Sequence, residues 1–323
     1  MMVTFETAIE QTKGEDRALL TGNGFSIAQT RGSFSYANLL EESDLSCDSP
    51  IRRLFTTLST VDFEQIIKSV EHARLVADTY GYGSLSRTLA EDAEKVRGAL
   101  ITAIQKVHPE SYAAIEMKEL GSCAAFLEEF EEVYTLNYDL LLYWVNIHGQ
   151  IFADGFGLGE KNGNFQGPFN EQGHCHIYNV HGGLHLFLTD KREVEKLVAR
   201  SGNLLDEIGQ EIQRNKRLPI FVAEGSTEEK LNKVRSIPYL DYCYKKLSYL
   251  RGSLFVVGHS ADERDSHIYD ALFSSNLSSI YFCVHDPSKN LELIRERLAP
   301  FRARNNAILV KFVDGSTVNI WDK

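Results

Sequence analysis

The chain is poor in the features that mark membrane, secreted or zinc-stapled proteins. No run approaches the roughly 20 apolar residues needed to span a bilayer, and the mean hydropathy is −0.24. Met1 to Asp16 contains no apolar stretch, so no secretory leader is expected. Five cysteines occur: Cys47, Cys123, Cys175, Cys243 and Cys283. They are odd in number and far apart, and none forms a Cys-x-x-Cys pair. That argues against a disulfide framework and a four-cysteine zinc site. Scattered thiols are simplest as reduced core residues of a cytoplasmic protein. Basic charge is short as well. Lys and Arg total 34 against 45 for Asp and Glu, a formal charge of −11. Nucleic-acid binding by bulk charge is therefore not expected, because phosphate neutralisation needs a basic face.

What is present suits a packed core without long disorder. Hydrophobic residues make up 43% and charged residues 24% of 323. That length fits one large domain or two small ones. Arg17-Ala-Leu-Leu-Thr21 reads as a buried strand ending in the turn Gly22-Asn-Gly24. Further strands are predicted at 132–136, 176–180, 218–222, 253–257, 279–284 and 307–312. Helical patterns lie between the later ones, at 191–215, 226–251, 261–274 and 289–301. Several strands are apolar on both faces, which predicts a parallel sheet covered on both sides, an α/β fold of Rossmann type. Residues 46–121 differ: Leu54, Ile66, Val70, Leu89, Val96 and Leu100 recur at helical spacing. They read as an all-helical insertion in a domain made of 1–45 and 122–323. The glycine-rich stretch Asp154–Gly173 reads as a long functional loop.

Ligands of open parallel sheets sit beyond the carboxyl ends of the strands, so the residues just after each strand are the candidates. The first strand is followed by Gly22, Asn23, Gly24, Phe25 and Ser26. Its glycines admit a ligand close to the backbone, and the next helix offers N–H groups to a phosphate. The same pattern also makes an ordinary strand–helix turn, since the spacing is not Gly-x-Gly-x-x-Gly. Next comes Thr135-Leu-Asn-Tyr-Asp139. Asn137 and Asp139 can share one cleft, or one of them can cap a helix. His181 precedes Gly182-Gly183; it is either a catalytic imidazole or a structural one. Gly258, His259 and Ser260 follow a later strand, and Asp286 follows another. The latter suits a ribose diol or a simple Asp-Pro turn. His174, Cys175 and His176, with His181 and His185, fit no standard metal spacing.

Taken in order along one sheet, these turns resemble the sirtuin-like NAD-binding fold. That family shows Gly-Ala-Gly-x-Ser, then Thr-Gln-Asn-x-Asp, then a catalytic His before Gly, then a Gly-Thr-Ser loop and an adenosine-contacting strand end. The matching positions here are Gly22–Ser26, Thr135–Asp139, His181-Gly182, Gly258–Ser260 and His285-Asp286. The likeness covers most of the chain outside the insertion. Asn23 stands for the family's Ala and His259 for its Thr, and the cysteine pairs of the deacetylases' zinc module are absent. Asp62-Phe-Glu64 and the Gly-Asn-Gly-Phe loop resemble bacterial sirtuin-like proteins of anti-phage defence and abortive infection.

The resemblance implies an NAD⁺ hydrolase that depletes the dinucleotide. In it Asn137 holds water and the ribose hydroxyls, Asp139 the nicotinamide carboxamide, and His181 accepts a proton. Gly22, Asn23, Gly24, Phe25 and Ser26 take the pyrophosphate with Gly258, His259 and Ser260, and Asp286 holds the adenosine ribose. It also implies NAD⁺ as substrate and no zinc or other metal. The implied partner is a second copy of the chain or a subunit sensing a nucleotide or phage signal, with no membrane and no direct nucleic acid. The alternative is a module that binds NAD or ADP-ribose without cleaving it. Protein deacetylation is disfavoured by the missing zinc module, and ADP-ribosyl transfer would need an acceptor groove.

Overall fold

Leu19 and Leu20 point to opposite faces of one strand, and both are fully buried. A strand of that kind needs cover on two sides, and this requirement sets the architecture. The computed structural model describes residues 2–30, 37–156, 165–166, 176–198, 203–222 and 226–321. In it β1 (Arg17–Thr21) lies inside a six-stranded parallel sheet. β2 (Glu132–Thr135) pairs with β1, and β4 (His176–Asn179), which follows the two-residue β3 (Phe165–Gln166) of another sheet, pairs in turn with β2. A second, antiparallel sheet takes β3 together with β5 (Gly182–Leu188), β6 (Val194–Lys196) and β7 (Pro219–Phe221). The chain then returns to the first sheet with β8 (Arg251–Val257), β9 (Asn276–Val284) and β10 (Leu309–Asp314).

The parallel sheet runs β10-β9-β8-β1-β2-β4. Renumbering its strands by chain order gives 6-5-4-1-2-3, the doubly wound order of dinucleotide-binding folds. The expected α/β Rossmann-like class is what the chain adopts. Register places Thr21 beside both Thr135 and Val257, and Thr135 beside Asn179. Four carboxyl ends therefore finish level along one edge. The order reverses between β1 and β8, and that reversal opens a crevice at this edge.

Helices cover both faces. Residues 46–121 hold Pro50–Thr57, Phe63–Thr79 and Gly83–Val107. Ser49 caps the first, accepting from the Arg52 N–H, with Pro50 at the first turn where its missing N–H costs nothing. Asp62 caps the second by accepting from the N–H groups of Glu64 and Gln65. Ile66, Ile67 and Val70 join Val96, Leu100 and Ile104 in one apolar cluster that continues into Leu19, Val133 and Phe255 of the sheet. The insertion thus shares its core with one face of the sheet. The other face packs on the helices Pro238–Leu247 and Ser266–Phe273 through Leu240, Cys243, Ile268 and Leu272.

Two local expectations change. The strand at 218–222 belongs to the antiparallel sheet, pairing with β5 rather than with the parallel strands. The span 191–215 is not one helix, for β6 precedes the helix Leu204–Gln213. Most of Asp154–Gly173, together with His174 and Cys175, lies outside the described residues.

Candidate active site

The turn after β1 and the turn after β8 meet. Gly22 N–H donates to Val257 O (2.9 Å) and Gly24 N–H to Gly258 O (2.8 Å). A Cβ on Gly24 would lie 2.7 Å from the Gly258 Cα, and one on Gly258, which has φ +71°, would lie 2.4 Å from the Phe25 N. These glycines are required because two backbones touch there. Phe25 N–H donates to Gly22 O (2.9 Å). Three amides expected to face a phosphate are thus bonded within the protein.

Over this seam lies a cleft of about 640 Å³, within the usual range for small-molecule sites. Gly22, Asn23, Gly24, Gly258, His259 and Ser260 line it, and so do Asn137 and His181. Residues far apart in sequence therefore converge on the crevice. Phe25, Ser26, Asp139 and Asp286 are not among its walls.

Each of those four has a physical reason. Phe25 is 1% exposed and packs edge-on against Trp321, whose Nε1–H donates to the Phe25 carbonyl (2.9 Å). It anchors the helix Asn23–Thr30 from below. Ser26 is fully buried and accepts from Asn137 Nδ2 (2.9 Å) while its hydroxyl donates to Asp139 Oδ2 (2.5 Å). Asp139 Oδ1 accepts from the Leu141 N–H (2.9 Å). Burial raises the Asp139 carboxyl above its ordinary value, against the Ser26 and Leu141 donors. Asp139 faces a separate small cavity of about 20 Å³, shared with Asn179 and His185. That is space for a water molecule, not for a nicotinamide ring. Asp286 starts the helix Pro287–Arg304 with φ 44°, pairs with Lys289 (2.7 Å) and accepts from the Ser288 hydroxyl (2.6 Å). His285, to which no role was assigned, lines the cleft wall where Asp286 was expected.

Asn137 has its two amide hydrogens committed, to Gly22 O (3.0 Å) and Ser26 Oγ (2.9 Å). It ties the β2 turn to the β1 turn. His181 follows the end of β4 and is 3% exposed. Gly182, with φ +82°, has room for no side chain: a Cβ would fall 2.1 Å from the Ile220 carbonyl. The His181 carbonyl accepts from the Val222 N–H (2.9 Å). These features fix the backbone that carries His181 against the antiparallel sheet.

A polar cluster surrounds that ring. His181 Nε2 lies 3.1 Å from His267 Nε2, and His267 Nδ1 lies 3.0 Å from Thr227 Oγ1. Asp265 accepts from Lys230 Nζ (2.8 Å) and meets His259 Nε2 at 3.2 Å. His259 Nδ1 accepts from the Ala261 N–H (2.9 Å), so its proton sits on Nε2 and points to Asp265. Burial lowers the pKa of His181 to about 3, against the pull of Asp265, and that of His267 to about 4. Both rings are neutral at pH 7. Burial pushes Asp265 up, but the His259 hydrogen bond and the Lys230 charge oppose it and keep the carboxylate ionised.

The sequence reading gave no role to Lys230, His267 or Thr227. His267 lies on an apolar helix face 86 positions from its partner, where no local pattern marks it. Thr227 and Lys230 stand in a helix start that accounts for them locally, Ser226 and Glu229 forming a capping box. Among the described residues, no helix is long and apolar enough to cross a membrane. Comparison with curated proteins finds no match. Residues 19–321 match the model of a domain of unknown function, DUF4917, and the chain belongs to that family.

Proposed function

We propose that the cleft hydrolyses NAD⁺ to nicotinamide and ADP-ribose. One observation carries the reading: Asn137 and His181 line the same hollow above the Gly22–Gly24 turn, at the switch point of a doubly wound sheet. The nicotinamide is cationic in the substrate, so its departure needs no strong acid. Water adds to the ribose C1′ as the C1′–N bond breaks. That electron pair goes to the nicotinamide nitrogen, and the water's proton goes to His181. The neutral imidazole has a lone pair to accept it. His267 lies in hydrogen-bond reach to share the proton, and the Asp265 carboxylate offsets the charge. Asn137 holds the floor in register, and His285 stands where the adenosine ribose would lie.

Purified chain incubated with NAD⁺ is expected to release nicotinamide, read by chromatography. His181→Ala should lower the rate at least about 100-fold while circular dichroism is unchanged. Equal rates in mutant and wild type would remove His181 from the chemistry. Tight NAD⁺ binding without nicotinamide would favour a sensor, a reading supported by the two committed amide hydrogens of Asn137. The likeness to anti-phage proteins extends the proposal to NAD⁺ depletion in infected bacterial cells, held in check by oligomerisation or a sensing subunit. Expression with the neighbouring genes, with cellular NAD⁺ followed after phage challenge, tests that extension.

A further inference from the structure

We propose that His181, His267 and Asp265 bind one divalent transition-metal ion of the zinc type, and that the ion silences the imidazole pair when it binds. The three side chains come from the end of β4, the helix Ser266–Phe273 and the short turn before that helix. One ligand atom from each lies within 4.8 Å of the other two. Two imidazoles and a carboxylate are a donor set suited to zinc and its neighbours rather than to calcium or magnesium. The spacing agrees. Zn–N bonds of roughly 2.0–2.1 Å in a tetrahedron set two nitrogens about 3.3 Å apart, and the two Nε2 atoms are 3.1 Å apart.

The outer contacts agree too. A histidine that binds metal through one nitrogen usually donates from the other to a fixed acceptor. His267 Nδ1 has such an acceptor in Thr227 Oγ1 at 3.0 Å. Lys230 and His259 occupy only part of the acceptor capacity of Asp265. His181 and Asp265 line the cleft, so a fourth position would open to water there. An ion in this place takes the Nε2 lone pairs of both rings, and His181 could then neither receive a proton nor pass one on. The consequence for catalysis rests on the hydrolase reading; the binding itself does not.

Full-length chain freed of metal by a chelator would be titrated with zinc chloride in a calorimeter, without NAD⁺. One equivalent should bind. His267→Gln and Asp265→Asn should each weaken binding at least about 100-fold, and Thr227→Val about 10–100-fold. Cobalt(II) in place of zinc should give the intense visible absorption of a tetrahedral site. No stoichiometric zinc binding, or a weak octahedral cobalt spectrum, would overturn the proposal even if a variant failed to fold. So would His267→Gln binding as tightly as wild type. Zinc should also stop nicotinamide release. If the metal-free chain releases none, the hydrolase reading fails while the binding result stands.

Discussion

Replacing Asn137 with alanine separates its two roles, as strut and as substrate contact. The side chain sends its two amide hydrogens to Gly22 O at 3.0 Å and Ser26 Oγ at 2.9 Å. Both acceptors are buried. The change removes the donors and takes one partner from each acceptor, while Gly22 O keeps the Phe25 N–H and Ser26 Oγ its bond to Asp139. At roughly 0.5–1.5 kcal/mol for each lost bond, the loss is about 1–3 kcal/mol. A chain stable by roughly 5–15 kcal/mol survives that loss folded. Urea unfolding followed by tryptophan fluorescence measures it, with Trp321 bonded to the neighbouring Phe25 carbonyl as a reporter near the site. A stability loss below about 0.5 kcal/mol would refute the strut. Loss of nicotinamide release with stability intact would assign Asn137 to the substrate instead.

Gly258→Ala places a methyl group against the Phe25 and Gly24 backbone at φ +71°. It should cost about 3 kcal/mol in a urea titration and weaken NAD⁺ binding in calorimetry; an unchanged midpoint would mean that the seam yields easily. Asp286→Ala removes an exposed pair with Lys289 and should leave the urea midpoint unchanged. The KM for NAD⁺ should stay within about twofold, whereas His285→Ala should raise it. His108 is buried, with Nδ1 against the Pro109 carbonyl (3.0 Å) and Nε2 accepting from the Leu140 N–H (2.9 Å). Burial lowers its pKa from 6.5 to about 4. The unfolded chain therefore takes the proton first as pH falls. The stability held by the neutral ring is full above pH 6.5 and drains away toward pH 4, by about 3 kcal/mol in all. His108→Gln should lose less stability than wild type between pH 7 and pH 5 in urea titrations.

The parallel sheet was legible because its strands are apolar on both faces, and so were the turns that end them. Alternation failed just past the strand ends. Asn137 and Asp139 share parity, yet the chain has left extended geometry by Leu140, with ψ near 0°, and only Asn137 reaches the cleft. Asp286 fails for the same reason: β9 stops at Val284, and the left-handed turn at 286 brings His285 inward. β5 was hidden by its opening glycine pair, which reads as a turn; its φ of +82° at Gly182 is needed for the approach to β7. The contact between His181 and His267 is tertiary, made by two neutral rings from separate elements, and no spacing encodes it.

The seam between Gly24 and Gly258 also bears on when the cleft can come into being. Its two lips lie 234 positions apart in sequence, so a nascent or truncated chain lacking residue 258 owns only one of them. The hollow takes shape only after β8 has docked beside β1. Whatever chemistry the folded protein performs, a growing chain is spared it until β8 has been made and docked.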